Sequence, residues 1–154
     1  MSISGGGDES DESTAMAKPT PVSIDRVITM LGRRGIELQT DATSRAAQGS
    51  VHGCGLLLAL LDSVLIVRID SPTDVRSDSS DATLYYAANK VNSAQVEARA
   101  LVVNRTENLT LRAEAEIPVA AGMTDEQLST CTHAAVKAVV ACQRALQDLV
   151  DTLG

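Results

Sequence analysis

A chain of 154 residues is most simply one domain, and it is long enough to close a real core. The net charge of −7, with no basic run, argues against nucleic-acid binding and against an anionic membrane surface, because both depend on clustered Lys and Arg. Hydrophobic residues make up 44%, yet Phe and Trp are absent and Tyr85 and Tyr86 are the only aromatics, so the core must be assembled from Leu, Val, Ile, Ala and Met.

Residues 1–20 are Gly, Ser, Asp and Glu with few apolar groups. Asp8, Glu9, Asp11 and Glu12 against Lys18 leave this stretch at −3. It cannot bury enough area to offset its ordering entropy, so it is expected to be a disordered acidic tail ahead of a single domain over 21–154. No basic patch precedes an N-terminal apolar run, and no run approaches the ~18 apolar residues of a spanning helix. The expected location is therefore cytoplasmic, with Cys54, Cys131 and Cys142 as reduced thiols. Without export, Asn104-Arg105-Thr106 and Asn108-Leu109-Thr110 match the glycosylation pattern by chance.

Pro21 and Ser23 open the first helix, with Ser23 as N-cap and Asp25 in the first turn. Ile24, Val27, Ile28 and Leu31 form its apolar face. Gly32 or Gly35 ends it, where Arg33 and Arg34 favour the C-terminal dipole or, alternatively, bind an anion. Ile36, Leu38 and Thr40 alternate with Glu37 and Gln39 as a short strand with one wet face. Asp41 to Ser50 is polar and reads as a turn with at most a strand fragment. Leu56 to Leu61 is an unalternated apolar run between Gly55 and Asp62-Ser63, which predicts a strand covered on both faces. A tight turn then leads into Val64 to Ile69, with Leu65, Val67 and Ile69 inward. Ser71 to Ser80 reads as a loop. Asp81 is placed to cap a helix from about Ala82 to Ser93, with Leu84, Ala87, Ala88 and Val91 on its inner face.

Arg99 to Val103 is the next strand, and Asn104 to Asn108 a hairpin turn. Leu109, Leu111, Ala113, Ala115 and Ile117 then alternate with Thr110, Arg112, Glu114 and Glu116. A period of two with charges on one side means a half-buried antiparallel strand. After Gly122 the last helix starts with a capping box, in which the Thr124 hydroxyl and the Gln127 side chain serve each other's backbone N–H. Leu128, Cys131, Ala135, Ala138, Cys142, Ala145, Leu149 and Leu153 mark an apolar stripe of about eight turns. The order is helix-strand-strand-strand-helix-strand-strand-helix. Hairpins dominate and no βαβ repeat is visible, so the fold class is α+β with an antiparallel sheet. The first and last helices should cover one sheet face. The other face carries Arg112, Glu114 and Glu116 at one end and must shield a leucine run at the other, which points to a partner or a second copy.

Groups able to do chemistry are few. His52 and Cys54 are two apart and would share a face in a strand, giving a thiol–imidazole pair. The simpler reading is a turn histidine before a small apolar cysteine. Cys131 and His133, two apart on a helix, do not face each other. Two Cys/His pairs separated by most of the chain do not make a zinc site, and Gly5 to Gly7 lacks the strand, helix and Lys of a phosphate loop. Glu114 and Glu116 read as a solvated face beside Arg112. No metal, cofactor or catalytic residue is expected.

Leu84-Tyr85-Tyr86-Ala87-Ala88-Asn89-Lys90-Val91-Asn92, the hairpin after it, and Ala121-Gly122-Met123-Thr124-Asp125-Glu126-Gln127-Leu128 together resemble the YbjN-like family of bacterial proteins, which carry the label of sensory transduction regulators. The match in spacing covers roughly Val22 to Val150, and its most telling pieces are Ala88-Asn89-x-x-Asn92 and the acidic-capped last helix. The resemblance implies a fold like type III secretion chaperones, small α+β proteins that commonly dimerise. In such dimers the middle helix and the next strand meet across the two-fold. Leu84, Tyr85, Tyr86, Asn89, Leu101 and Val103 are thereby the candidate dimer or partner interface. The family supplies no catalytic residue. The expected function is a non-enzymatic protein- or peptide-binding module, chaperone-like or regulatory, acting as a homodimer. The alternative is a small cysteine-dependent enzyme using Cys54 and His52.

Overall fold

The computed structural model describes residues 17–154, so most of the acidic tail lies outside it. The described residues form helices α1 (Ile24–Gly32), α2 (Thr83–Ala94) and α3 (Asp125–Leu153), and strands β1 (Leu38–Thr40), β2 (Ala46–Val51), β3 (Cys54–Leu61), β4 (Val64–Arg76), β5 (Arg99–Val103) and β6 (Asn108–Pro118). The strands make one six-stranded sheet in the order β1-β2-β3-β4-β6-β5 with every neighbouring pair antiparallel. The α+β class with an antiparallel sheet holds.

Two features differ from the sequence expectation. The stretch read as a turn contains β2, whose Ala-Ala-Gln-Gly-Ser-Val has little β-former character. Its signal was Gly49: a Cβ there would sit 2.4 Å from the Glu37 carbonyl oxygen, so only glycine lets β2 lie against the chain entering β1. The supposed loop after Asp70 likewise continues as β4 to Arg76, with a register shift between Pro72 and Arg76. Because β6 inserts between β4 and β5, those two run parallel, and α2 is the crossover of a split βαβ unit that short-range patterning does not reveal.

All three helices pack on one sheet face. Leu56, Leu58, Leu65, Val67, Ile69, Leu109, Leu111 and Ala113 point to them and are almost wholly buried. The core holds no aromatic side chain, and each buried Leu, Ile, Val or Met in it contributes about 1.5–3 kcal/mol. The capping box of α3 forms as expected: Gln127 N–H donates to Thr124 Oγ1 at 3.1 Å and Thr124 N–H to Gln127 Oε1 at 2.9 Å. The buried stripe is rotated from the expected one. Leu128, Thr132, Ala135, Val136, Val139, Val140, Cys142, Gln143 and Leu146 are buried, whereas Cys131, Ala138, Ala145 and Leu149 lie at its margin and Leu153 is exposed. The sheet takes the valine-bearing side because branched side chains fill a pleated surface better than alanines.

Ser23 caps α1, its hydroxyl accepting from Arg26 N–H at 3.2 Å. Asp81 serves α2 from one residue further out: its Oδ1 accepts from the N–H and hydroxyl of Thr83, while Ala82 holds the cap position. Thr20 pairs with Met123 through two backbone bonds of 3.1 and 2.9 Å, so the last residues of the stretch read as tail join the folded body. Arg26 fastens this corner, donating to the Thr20, Pro21 and Met123 carbonyls and to Asp125 at 2.8–2.9 Å.

Candidate interaction surfaces

The helix-free sheet face is where covered and uncovered residues meet. Leu57, Ala59 and Leu61 of β3 alternate with buried Leu56 and Leu58, so the described residues do not cover the run on both faces. Their cross-strand partners are Arg68, Ile66 and Val64. Leu57, Ala59, Val64 and Ile66 are half-buried and Leu61 is 52% exposed. Among the described residues no helix lies over this aliphatic patch.

Beside it runs a charged ladder across β4, β6 and β5. Arg112 grips Asp70 with two hydrogen bonds of 2.7 and 2.9 Å. Arg68 meets Glu114 at 2.6 Å, and Arg99 reaches Glu114 at 3.5 Å and Glu116 at 3.9 Å. Glu114 is only 7% exposed, so it is not the solvated residue the alternation implied. Two arginines bend over it and take it out of water. A period-two pattern tells which side a carboxylate faces, not what its neighbours lay across it. Past the ladder, Leu101 and Val103 stand half-buried on the outer side of β5, opposite Arg112 and Thr110.

The residues named from the family pattern are thus distributed over one end of the molecule. Leu84 is buried under α2 at 2% exposed. Tyr85 and Tyr86 stand outward at 44% and 50%, with Lys90 Nζ 5.7 Å above the Tyr86 ring. Asn89 is exposed on the same helix. Leu101 and Val103 lie on the opposite side of the sheet from these tyrosines, and the two groups flank the edge strand β5.

Asn92, part of the same pattern, has a role that spacing did not reveal. Its side-chain amide bonds both polar groups of Ala100: Ala100 N–H donates to Oδ1 at 2.7 Å and Nδ2 donates to the Ala100 carbonyl at 2.9 Å. The side chain imitates one residue of an added strand and closes the outer edge of β5 at that point.

The thiol and imidazole groups are dispersed. His52 and Gly53, at φ 51° and 79°, form the two-residue β2–β3 turn, and Cys54 begins β3 half-buried. His52 thus lies off the strand that would have aligned it with Cys54. Burial pushes the Cys142 thiol up from its ordinary value, with the neighbouring Gln95 side chain opposing more weakly. Arg34 does not stay with the end of α1. Its Nε donates to Ser129 Oγ at 2.8 Å and Nη1 to His133 Nδ1 at 3.1 Å, so it ties α1 to α3. Burial first, then Arg34 and Lys137, hold His133 below the usual imidazole range. No helix among the described residues is long and apolar enough to cross a membrane.

Known proteins place this geometry. The crystal structure of YbjN, "a putative transcription regulator from E. coli", superposes with a TM-score of 0.62 at 13% identity, covering 86% of this chain and 92% of that one. The Yersinia pestis type III secretion chaperone SycH, solved in complex with a stable fragment of YscM2, aligns with a TM-score of 0.43 at 13% identity over 77% of this chain and 97% of the chaperone. No curated protein sequence matches the chain. The family model described as "YbjN: Putative bacterial sensory transduction regulator" matches residues 23–148, most of the described fold, and the chain belongs to that family.

Proposed function

We propose that this protein is a non-enzymatic interaction module that works as a homodimer and holds a segment of a partner protein in a regulatory or chaperone-like role within the cytoplasm. The observation that carries the reading is the one-sided sheet. Three helices bury one face, while the other leaves Leu57, Leu61, Val64 and Ile66 without cover beside an ordered ladder of charges. An aliphatic patch next to paired charges gives a partner both area and register.

The second copy is assigned to the β5 end, where Tyr85, Tyr86 and Asn89 on one side and Leu101 and Val103 on the other flank the edge strand. Exposed tyrosines are effective anchors because they bring large area at little rotamer cost. Asn92 blocks strand addition at Ala100, so the contact is made by side chains of α2 and β5 rather than by a continuous sheet. Sedimentation equilibrium at micromolar concentration tests this. The expected result is a dimer that Tyr86→Asp and Leu101→Asp each convert to monomer, with folding retained by circular dichroism. A parent chain that sediments as monomer, or a dimer indifferent to both substitutions, refutes it.

A further inference from the structure

We propose that the chain carries a binding site for a small amphipathic oxyanion, a carboxylate or phosphate on a short aliphatic body, in the cavity enclosed by the α1–β1 turn, the β2–β3 hairpin and the outer flank of α3. The cavity measures about 600 Å³, within the ~300–1,000 Å³ of small-molecule sites. It lies at the β1–β2 end of the sheet, far in strand order from β5, so it is independent of the proposed self-association.

The argument begins with charge. The chain has 20 acidic residues and 13 basic ones, yet among the described residues no carboxylate lines this cavity. Its titratable lining is Arg34, His52, His133, Lys137 and Arg144, which includes both histidines of the chain. Among the described residues no carboxylate oxygen comes within 4.0 Å of the Arg34, Lys137 or Arg144 side-chain nitrogens, whereas Arg26, Arg68, Arg76, Arg99 and Arg112 all have one. Lys18, Arg33, Arg45, Lys90 and Arg105 make no such pair among the described residues either. What sets Arg34, Lys137 and Arg144 apart is that they are gathered around one cavity together with both histidines.

The placement is regular. His133, Lys137 and Arg144 follow at steps of four and seven along α3 and share one flank of it. Arg34 crosses from α1 to meet them, and its two bonds to Ser129 and His133 fix the guanidinium plane. With Nδ1 of His133 accepting from Arg34, the remaining ring N–H is at Nε2, a further donor. A positive pit in a negative surface focuses anions. Burial is the main cause that holds His133 below its ordinary value, and Arg34 and Lys137 add to it in the same direction.

The rest of the lining sets the body of the ligand. Ile36, Val51, Val136, Val140 and Ala141 are aliphatic, and the lining holds no Phe, Tyr or Trp. An oxyanion head held by Arg34, Lys137 and Arg144, with a short saturated tail against these side chains, satisfies both halves of the cavity.

The test is a titration of the full chain by ¹⁵N–¹H correlation NMR with octyl phosphate, octanoate, inorganic phosphate and octan-1-ol. Octyl phosphate or octanoate is expected to saturate at one site, moving the amides of Gly35, Val51, Lys137 and Ala141, at least about tenfold more tightly than octan-1-ol. A response to both heads makes the site a general oxyanion site, and a response to one assigns the head. Lys137→Glu with Arg144→Glu should abolish binding, Lys137→Gln with Arg144→Gln should weaken it, and Arg105→Glu in the β5–β6 turn should leave it unchanged. Octan-1-ol binding as tightly as the anions, no saturable shifts up to millimolar ligand, or equal loss in the Arg105 variant overturns the proposal. Vesicles containing phosphatidylglycerol separate a lipid surface from a free ligand: the chain should stay in the supernatant, and co-sedimentation overturns the small-molecule reading.

Discussion

Replacing Asn92 by alanine should cost the fold about 2 kcal/mol, although Asn92 itself is exposed. The side chain makes two hydrogen bonds, of 2.7 and 2.9 Å, to the N–H and C=O of Ala100, a residue 2% exposed. Each bond is worth about 1 kcal/mol net, and the freed groups sit where water reaches them poorly, which holds the loss at or above that sum. At this chain length about 2 kcal/mol lowers Tm by roughly 6 °C. Urea unfolding gives the free energy, and hydrogen exchange reads the Ala100 amide directly, which should lose protection before its β6-paired neighbours. Asn92→Asp separates hydrogen bonding from packing. The carboxylate can still accept from the N–H but faces the carbonyl oxygen with no donor, so it should cost at least as much as alanine. The reasoning fails if Asn92→Ala stays within about 0.5 kcal/mol of the parent, the range of an ordinary surface change, or if the aspartate is as stable as the asparagine.

Glu114→Ala should destabilise by about 1–2 kcal/mol and Arg68→Ala by less, with a double-mutant cycle giving a coupling near 1 kcal/mol; independent effects would show that the 2.6 Å pair contributes little. Because His133 is held below its ordinary value, the unfolded chain binds a proton there at higher pH than the folded one does. Stability is therefore lost as pH falls from about 6.5, the unfolded value, toward the folded one. In an NMR titration the His133 ring should titrate below that value, and Arg34→Ala should move the midpoint upward by removing one of the two cationic neighbours; a midpoint that falls contradicts the assignment. Iodoacetamide should label Cys54 and Cys131 before Cys142, which is fully buried with its thiol pushed up, and Cys142 should react only on unfolding.

Much of the architecture could be read from residues that act locally. Thr124 and Gln127 announce the start of α3, and the alternation from Leu109 to Ile117 fixes the inward face of β6. What stayed hidden depends on contacts between distant segments. β2 has a single strong β former, Val51 at its end, and its pairing is decided by the close approach at Gly49. The choice of buried side on α3 lies between two adjacent apolar stripes, and the sheet makes it. The roles of Glu114, Asn92 and Arg34 are set by partners 46, 8 and 99 residues away, beyond any helical or strand period. The Arg33-Arg34 pair was the one hint of an anion site, and of the two only Arg34 lines the cavity; the helix that brings Lys137 and Arg144 to it is about a hundred residues downstream.

The dependence on α3 has a consequence for synthesis. Every strand leaves the ribosome before the 29-residue helix that seals their inner face, and Arg26 must wait for Met123 and Asp125 before it can fasten the N-terminal corner. Until then Leu65, Val67, Ile69, Leu109 and Leu111 form a bare aliphatic wall on a nascent polypeptide. The inner face of the sheet therefore cannot close until α3 has been made, and up to that point this wall is an aggregation hazard that a holdase chaperone would be suited to cover.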